Sequence, residues 1–188
     1  MKFKNWIALF SQTGQEIIDI SNQIDRKPDL IISNNHPSNV LNILKDVEYK
    51  WLTTFGKEAK TLDILDEVLY GTNLEDTLIT LNGWLRIVPP DKCERFNIYN
   101  GHPGLINKYP ELKGKDPQER AWNNIHKYDT VGSVVHRVVE EVDAGEISTY
   151  SEISTANILT LDEIYELLRS TSLTAWSSFL KERLYNKV

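Results

Sequence analysis

An α/β fold, with an open, mostly parallel and twisted sheet carrying helices on both faces, is expected from three features of the 188-residue sequence. Short apolar runs alternate with segments whose apolar residues recur at helical spacing, which is the pattern of a sheet built from parallel strands. A hydrophobic content of 40% and a charged content of 26% are ordinary globular values, and the length suits one domain with a sizeable core, here taken as residues 1–188. No linker, repeat or low-complexity tract interrupts the alternation.

The first strand is expected over Trp6 to Phe10, in the middle of the sheet. Ser11, Gln12, Thr13 and Gly14 form a turn, and Ile17, Ile20 and Ile24 then mark a helix. A strand, a turn of small residues and a helix can hold a phosphate at the helix N-terminus, and an ordinary strand-to-helix turn reads the same way. Leu30 to Ser33 gives a second strand. Ser38 can cap a helix carrying Val40, Leu41 and Leu44, and Tyr49 to Phe55 gives a third strand. Leu62, Leu65, Val68 and Leu69 form one face of a helix before a fourth strand over Thr77 to Leu81. Ligands of such sheets sit beyond the carboxyl ends of the strands, where strand order reverses.

Gly83 to Pro90 follows that strand directly. Trp84, Leu85, Ile87 and Val88 are too apolar for a free loop, so they either join the core or line a pocket for a flat ring. Phe96, Ile98 and Tyr99 belong to a further strand, ending at Asn100 and His102. His102 precedes Pro103, which favours extended backbone, and Pro103-Gly104 turns the chain. This is either a site at the sheet rim or an ordinary polar turn.

Lys108 to Lys115 connects to a helix that starts at Asp116-Pro117-Gln118-Glu119, with Asp116 as cap and Glu119 at the capping-box position. Ala121, Trp122 and Ile125 supply its buried face. Ser133 to Val139 is β-rich and contains His136, taken as a packed or exposed strand residue, with His36 and His126 read likewise. Glu140, Glu141 and Glu146 are expected to face water. Asp143 stands apart because Ala144-Gly145 behind it permits close backbone approach. Thr160-Leu161-Asp162-Glu163 is a second capping box, followed by Ile164, Leu168, Ala175, Trp176, Phe179 and Leu180 on one long helix, with a break at Ser170 to Ser172 left open.

The net charge of −6 argues against nucleic acid or an anionic membrane as partner. The lone Cys93 cannot form an intramolecular disulfide and fits a reducing, cytoplasmic setting, and no Cys/His cluster has metal-ligand spacing. The N-terminus reads as a strand rather than a signal peptide, and no run reaches the ~18 apolar residues that span a bilayer.

Four stretches, in order, resemble the folate-dependent formyltransferases, especially their glycinamide ribonucleotide branch. Asn100-Gly101-His102-Pro103 is similar to the family's catalytic Asn-x-His-Pro, with Leu105 and Lys108-Tyr109-Pro110 behind it. Leu81 to Pro90 resembles the folate-site loop, Thr130 to Gly145 the strand and loop bearing the catalytic aspartate, and Ile31 to Asn35 the second strand. The resemblance covers roughly residues 5 to 150. It implies a Rossmann-like formyltransferase fold and transfer of a formyl group from 10-formyltetrahydrofolate to the amine of a small, phosphorylated acceptor, without a metal or a covalent enzyme intermediate. It places the reaction in one-carbon metabolism and purine biosynthesis and is compatible with a homodimer.

The same resemblance assigns Asn100, His102 and Asp143 to catalysis, and Arg86 with Trp84, Leu85, Ile87 and Val88 to the folate pocket. Acyl transfer needs donors aimed at the oxygen on which charge builds, a task for the Asn100 amide and a protonated His102. Asp143 favours the charged imidazole and moves a proton. Ser11 to Gly14 would hold the acceptor's phosphate. Here the chain departs from the family, whose loop is richer in glycine and whose C-terminal helix offers a glutamate where this chain has Arg169 to Leu173. Alternatives are a sugar-nucleotide or other amine formyltransferase, a formyltetrahydrofolate hydrolase, and a non-catalytic folate-binding protein; the relatives with added domains are longer than this chain.

Overall fold

The computed structural model describes residues 2–34, 47–51, 63–70, 73–156, 158 and 160–185. In chain order they form β1 (Asn5–Phe10), α1 (Gln15–Ile24), β2 (Leu30–Ser33), β3 (Glu48–Trp51), α2 (Asp63–Val68) and β4 (Thr77–Leu81). Then come α3 (Pro90–Arg95), β5 (Asn97–His102), α4 (Pro117–Asn123), β6 (Thr130–Arg137), β7 (Ile147–Ser154) and α5 (Leu161–Leu184). The helix expected after Ser38 lies outside the described residues, as do Asn35, His36, Leu62 and the end of the strand expected to reach Phe55.

Among the described residues one sheet runs in the order β3-β2-β1-β4-β5-β6-β7. The strands from β3 to β5 are parallel, whereas β6 pairs antiparallel with β5 and β7 antiparallel with β6. β1 is central because all but its first residue are buried, and alternate side chains feed two cores. Trp6, Ala8 and Phe10 pack on the face covered by α1 and α5. Ile7 and Leu9 pack with Leu65 of α2 and Cys93 of α3 on the other. Each such large side chain contributes about 1.5–3 kcal/mol by leaving water. The expected architecture, an open and mostly parallel sheet with helices on both faces, is therefore present.

Strand order reverses between β1 and β4: the chain leaves β1 toward β2 and β3, and leaves β4 toward β5. The loops after these two strands diverge there and are cross-tied. The Ser11 N–H donates to the Gly83 carbonyl at 3.1 Å and the Asn82 N–H to the Leu9 carbonyl at 2.8 Å. The opening at this reversal is where a ligand is expected in such a sheet.

One point left open is decided, and two local expectations need correction. α5 is continuous through Ser170 to Ser172, because its small polar residues pack sideways rather than break the helix. The Thr171 hydroxyl meets that of Ser133 in β6 at 3.1 Å, and Ser172 donates to Glu16 in α1 at 2.7 Å. Asp116 precedes α4 without capping it: its backbone is left-handed, with φ 52° and ψ 47°, and no side-chain cap bond forms. Capping geometry requires an extended cap residue, so the helix start rests on Pro117 at the first helical position. Ile125 falls outside α4, in a separate 3₁₀ turn over Ile125–Lys127. The capping box of α5 forms as expected, with Thr160 Oγ1 accepting from Glu163 N at 3.2 Å and Glu163 Oε2 from Thr160 N at 2.9 Å.

Candidate active site at the carboxyl ends of the strands

A cavity of about 1000 Å³ opens at the strand reversal, large enough for two small ligands side by side. Asn100, His102 and Asp143 all line it, together with Trp84 to Val88 and Gln12 to Glu16. The sequence-selected residues thus converge on one opening, with one exception. Ser11 turns its hydroxyl to accept the Leu85 N–H at 3.1 Å and so ties the two loops together instead of lining the cavity.

Asn100 and His102 share the end of β5 and flank Gly101 on the strand. A Cβ on Gly101 would lie 2.4 Å from Trp176 Nε1 of α5, so only glycine lets the strand pass beneath the indole. His102 is 5% exposed. Its Nε2–H donates to the Leu112 carbonyl at 2.9 Å, and its Nδ1 lies 3.3 Å from Asp143 Oδ2. Burial holds the His102 pKa below the ordinary imidazole value despite the neighbouring carboxylate. At neutral pH the ring therefore carries one proton, which the Leu112 carbonyl places on Nε2. A second proton on Nδ1 would sit against Asp143.

Asp143 reaches this position from a loop folded tightly back on β6. Its φ of 54° is left-handed, and Gly145 beside it passes so close that an added Cβ would be 1.7 Å from the Arg137 carbonyl. The close approach expected from Ala144-Gly145 is thus real. Oδ2 also accepts the Gly114 N–H at 2.8 Å, and Oδ1 lies 3.4 Å from His136 Nε2. Burial alone would raise the Asp143 pKa. The His136 contact, the His102 ring and the Gly114 N–H outweigh it, and the carboxyl stays below its usual range and ionised.

His136 is the residue that the sequence reading passed over. It is 2% exposed and stands opposite Asn100 in the β5–β6 register. Its Nδ1–H donates to the Arg137 carbonyl at 2.9 Å, which leaves the Nε2 lone pair to accept from Asn100 Nδ2 at 3.3 Å. Asn100, His136, Asp143 and His102 therefore lie in one line of close polar contacts across the cavity floor, in which a further proton on either ring would meet the Asp143 carboxylate.

The loop after β4 divides between the core and the cavity mouth. Trp84 and Val88 are buried, while Leu85 and Ile87 are 61% and 65% exposed at the cavity mouth, with Arg86 between them. Trp84 Nε1 is buried without a hydrogen-bond partner among the described residues, which leaves a donor in an apolar wall. Glu140 and Glu141 are exposed, as expected, and so is His126.

The formyl transferase family model matches residues 58–178, well over half of the chain. The chain belongs to the formyl transferase family. A phosphoribosylglycinamide formyltransferase of Dictyostelium discoideum is 37% identical over 47% of this chain and 46% of its own length. A methionyl-tRNA formyltransferase of Thermotoga neapolitana is 32% identical over 66% of this chain and 34% of its own length. The matches thus span less than half of either relative. The crystal structure of the Campylobacter jejuni phosphoribosylglycinamide formyltransferase superposes with a TM-score of 0.79 at 20% identity, covering 97% of this chain and 98% of that one. At that identity the likeness is one of fold, and the fold is that of the formyl transferases. Among the described residues no helix is long and apolar enough to cross a membrane.

Proposed function

We propose that this formyl transferase family member moves a formyl group from 10-formyltetrahydrofolate to the amine of a small acceptor by direct acyl transfer. The observation that carries this reading is the Asp143 carboxylate, which gathers His102, His136 and, through His136, Asn100 into the cavity that the apolar Trp84 to Val88 loop also lines. The wall suits a flat heteroaromatic ring, since Trp84 and Val88 are buried apolar residues that line it. Arg86, which lines the same cavity, would meet a carboxylate of the ligand. When bound, the folate supplies the formyl group.

The rest is done by the chain. Asn100 Nδ2 carries two N–H groups, and His136 takes one of them. The amide is thereby held in one orientation, with its second N–H free to stabilise the oxygen on which charge grows. A preorganised donor of this kind is worth about 10²–10³ in rate. The attacking amine must shed a proton, and the ionised Asp143, which lines the cavity, would draw it in. His102 Nδ1, 3.3 Å away, is the more basic end of the pair; it holds that proton and would return it to the tetrahydrofolate nitrogen, which leaves as the C–N bond of the tetrahedral intermediate breaks.

The test is consumption of 10-formyltetrahydrofolate with and without an amine. Turnover that requires the amine supports transfer. Equal consumption without it supports hydrolysis. No consumption, together with no binding of 5-deazafolate, overturns the folate reading.

A further inference from the structure

The α1 end of the cavity departs from the phosphate cradle that its strand-turn-helix sequence suggested. The first turn of α1 presents Glu16 to the cavity. Its carboxylate is held by a chain of donors that starts at Trp6. Trp6 Nε1–H, which can only donate, is given to Thr80 Oγ1 at 2.9 Å. The Thr80 hydroxyl then donates to Asn82 Oδ1 at 2.8 Å, which turns the Asn82 Nδ2 toward Glu16 Oε2 at 3.1 Å. On the other side the Ser172 hydroxyl donates to Glu16 Oε1 at 2.7 Å. Both oxygens are thus fixed as acceptors, each with lone-pair capacity left over.

Two of the groups that could hold a phosphate are already engaged. Thr13 Oγ1 accepts the N–H of Gln15 at 3.2 Å, covering part of the N-terminus of α1. Arg169, which lines the same end, is paired with Asp19 at 2.6 Å. A phosphate placed here would face an acidic side chain across a partly desolvated gap, where like charges repel more strongly than in water. Burial raises the Glu16 pKa against the pull of Ser172 and Asn82, so a cation or a donor-rich group restores what desolvation removed.

We propose that this end of the cavity receives a hydrogen-bond-donating part of the acceptor, hydroxyls or an ammonium, and rejects a phosphate, with Glu16 as the residue that decides. The inference rests on the formyl-transfer reading and names the acceptor class for that same site.

Two measurements test it on the intact protein, in wild type and in Glu16→Gln. Gln keeps both hydrogen bonds: its Oε1 accepts from Asn82, and its amide donates to Ser172. In the first measurement inorganic phosphate is titrated and its ³¹P line width followed. Wild type should show no saturable broadening, and Glu16→Gln should bind at least about tenfold more tightly. In the second, glucosamine and glucosamine 6-phosphate are compared as acceptors. Wild type should prefer the free sugar by about tenfold or more in kcat/KM, mainly through KM, and the preference should collapse in Glu16→Gln. Should Glu16→Gln prove unfolded by its thermal transition, Glu16→Ala, which also removes the charge, serves in its place, with a change in the same direction.

Phosphate binding to wild type as tight as to the variant overturns the proposal, as does an unchanged sugar preference or no use of the free sugar. A 5-deazafolate thermal shift keeps the two readings apart. If the analogue binds and the phosphate pattern fails, the acceptor class is wrong; if the analogue does not bind, formyl transfer itself is wrong.

Discussion

Asp143→Asn removes one charge and almost no volume from the point where the site residues meet. The native carboxylate serves three partners: the Gly114 N–H at 2.8 Å, His102 Nδ1 at 3.3 Å and His136 Nε2 at 3.4 Å. In the variant the amide oxygen can keep the Gly114 bond. Its NH₂ group then points at His136 Nε2, whose lone pair already accepts from Asn100. Two donors compete for one acceptor, and His102 loses the charge that favours its protonated form. The proton acceptor is lost with it, so kcat should fall about 10²–10⁴-fold, or roughly 3–5 kcal/mol of barrier. Stability should suffer less: neutral bonds replace charge-assisted ones at a cost of about 1–3 kcal/mol. At this chain length that lowers Tm by about 2–4 °C per kcal/mol. The assay is donor consumption with whichever amine supports turnover, alongside 5-deazafolate binding, which should be retained. A variant that keeps kcat within about threefold of wild type would refute the role of the carboxylate.

Three further outcomes are expected. Gly101→Ala drives a methyl to 2.4 Å from Trp176 Nε1, an overpacking that should cost about 1–3 kcal/mol and depress both Tm and turnover; an unchanged Tm would show that the strand has room to shift. His102 is held below its ordinary 6.5 by burial, so the unfolded chain takes up this proton first. Stability present above about pH 6.5 is therefore lost as pH falls toward the folded value, and His102→Gln should flatten that slope in thermal melts; a slope of equal size in the variant assigns it elsewhere. His136→Phe preserves ring volume but releases Asn100, so kcat should drop tenfold or more with KM little moved, whereas a pure KM effect would place His136 in binding.

The parts of this molecule written in short-range pattern were legible in the sequence. Consecutive apolar residues mark β1, β2 and β4, and helical spacing from Ile164 to Leu180 marks α5, because burial sets both patterns locally. Asn100, His102 and Asp143 stood out through the strand end, proline and small residues beside them, and it was the resemblance to the formyltransferases that singled them out from an ordinary polar turn. His136 was not, since its role comes from standing across the sheet from Asn100. The register of two strands joined through α4 and two 3₁₀ turns leaves no mark on either strand's composition. Glu16 was missed for a related reason. An acid in the first turn of a helix reads as a partner for the helix dipole; only the folded chain shows Asn82 and Ser172 holding it toward a ligand space. The Asp116 cap failed on geometry: the residue type was right, and a left-handed backbone turned it away.

The antiparallel strand is what makes the site possible. A parallel strand beside β5 would have brought its own carboxyl end to the cavity, and the chain would then have left the sheet. β6 instead enters beside the end of β5, so His136 near its far end faces Asn100, and an irregularity in its pairing with β7 between Val135 and His136 marks the same place. The chain must then turn back within a few residues to form β7. It does so by laying Gly145 on the Arg137 carbonyl and setting Asp143 left-handed, while the Arg137 N–H donates to Glu146 at 2.9 Å to close the loop. That forced return carries a carboxylate over the end of β5, where the Gly114 N–H fixes it. The parallel half of the sheet contributes the other wall, because its strand order reverses at β1 and β4 and opens a gap between their loops. His136 and Asp143 on the antiparallel side and the loops after β1 and β4 on the parallel side therefore meet where the two halves of the sheet join, which is why one cavity is lined by both.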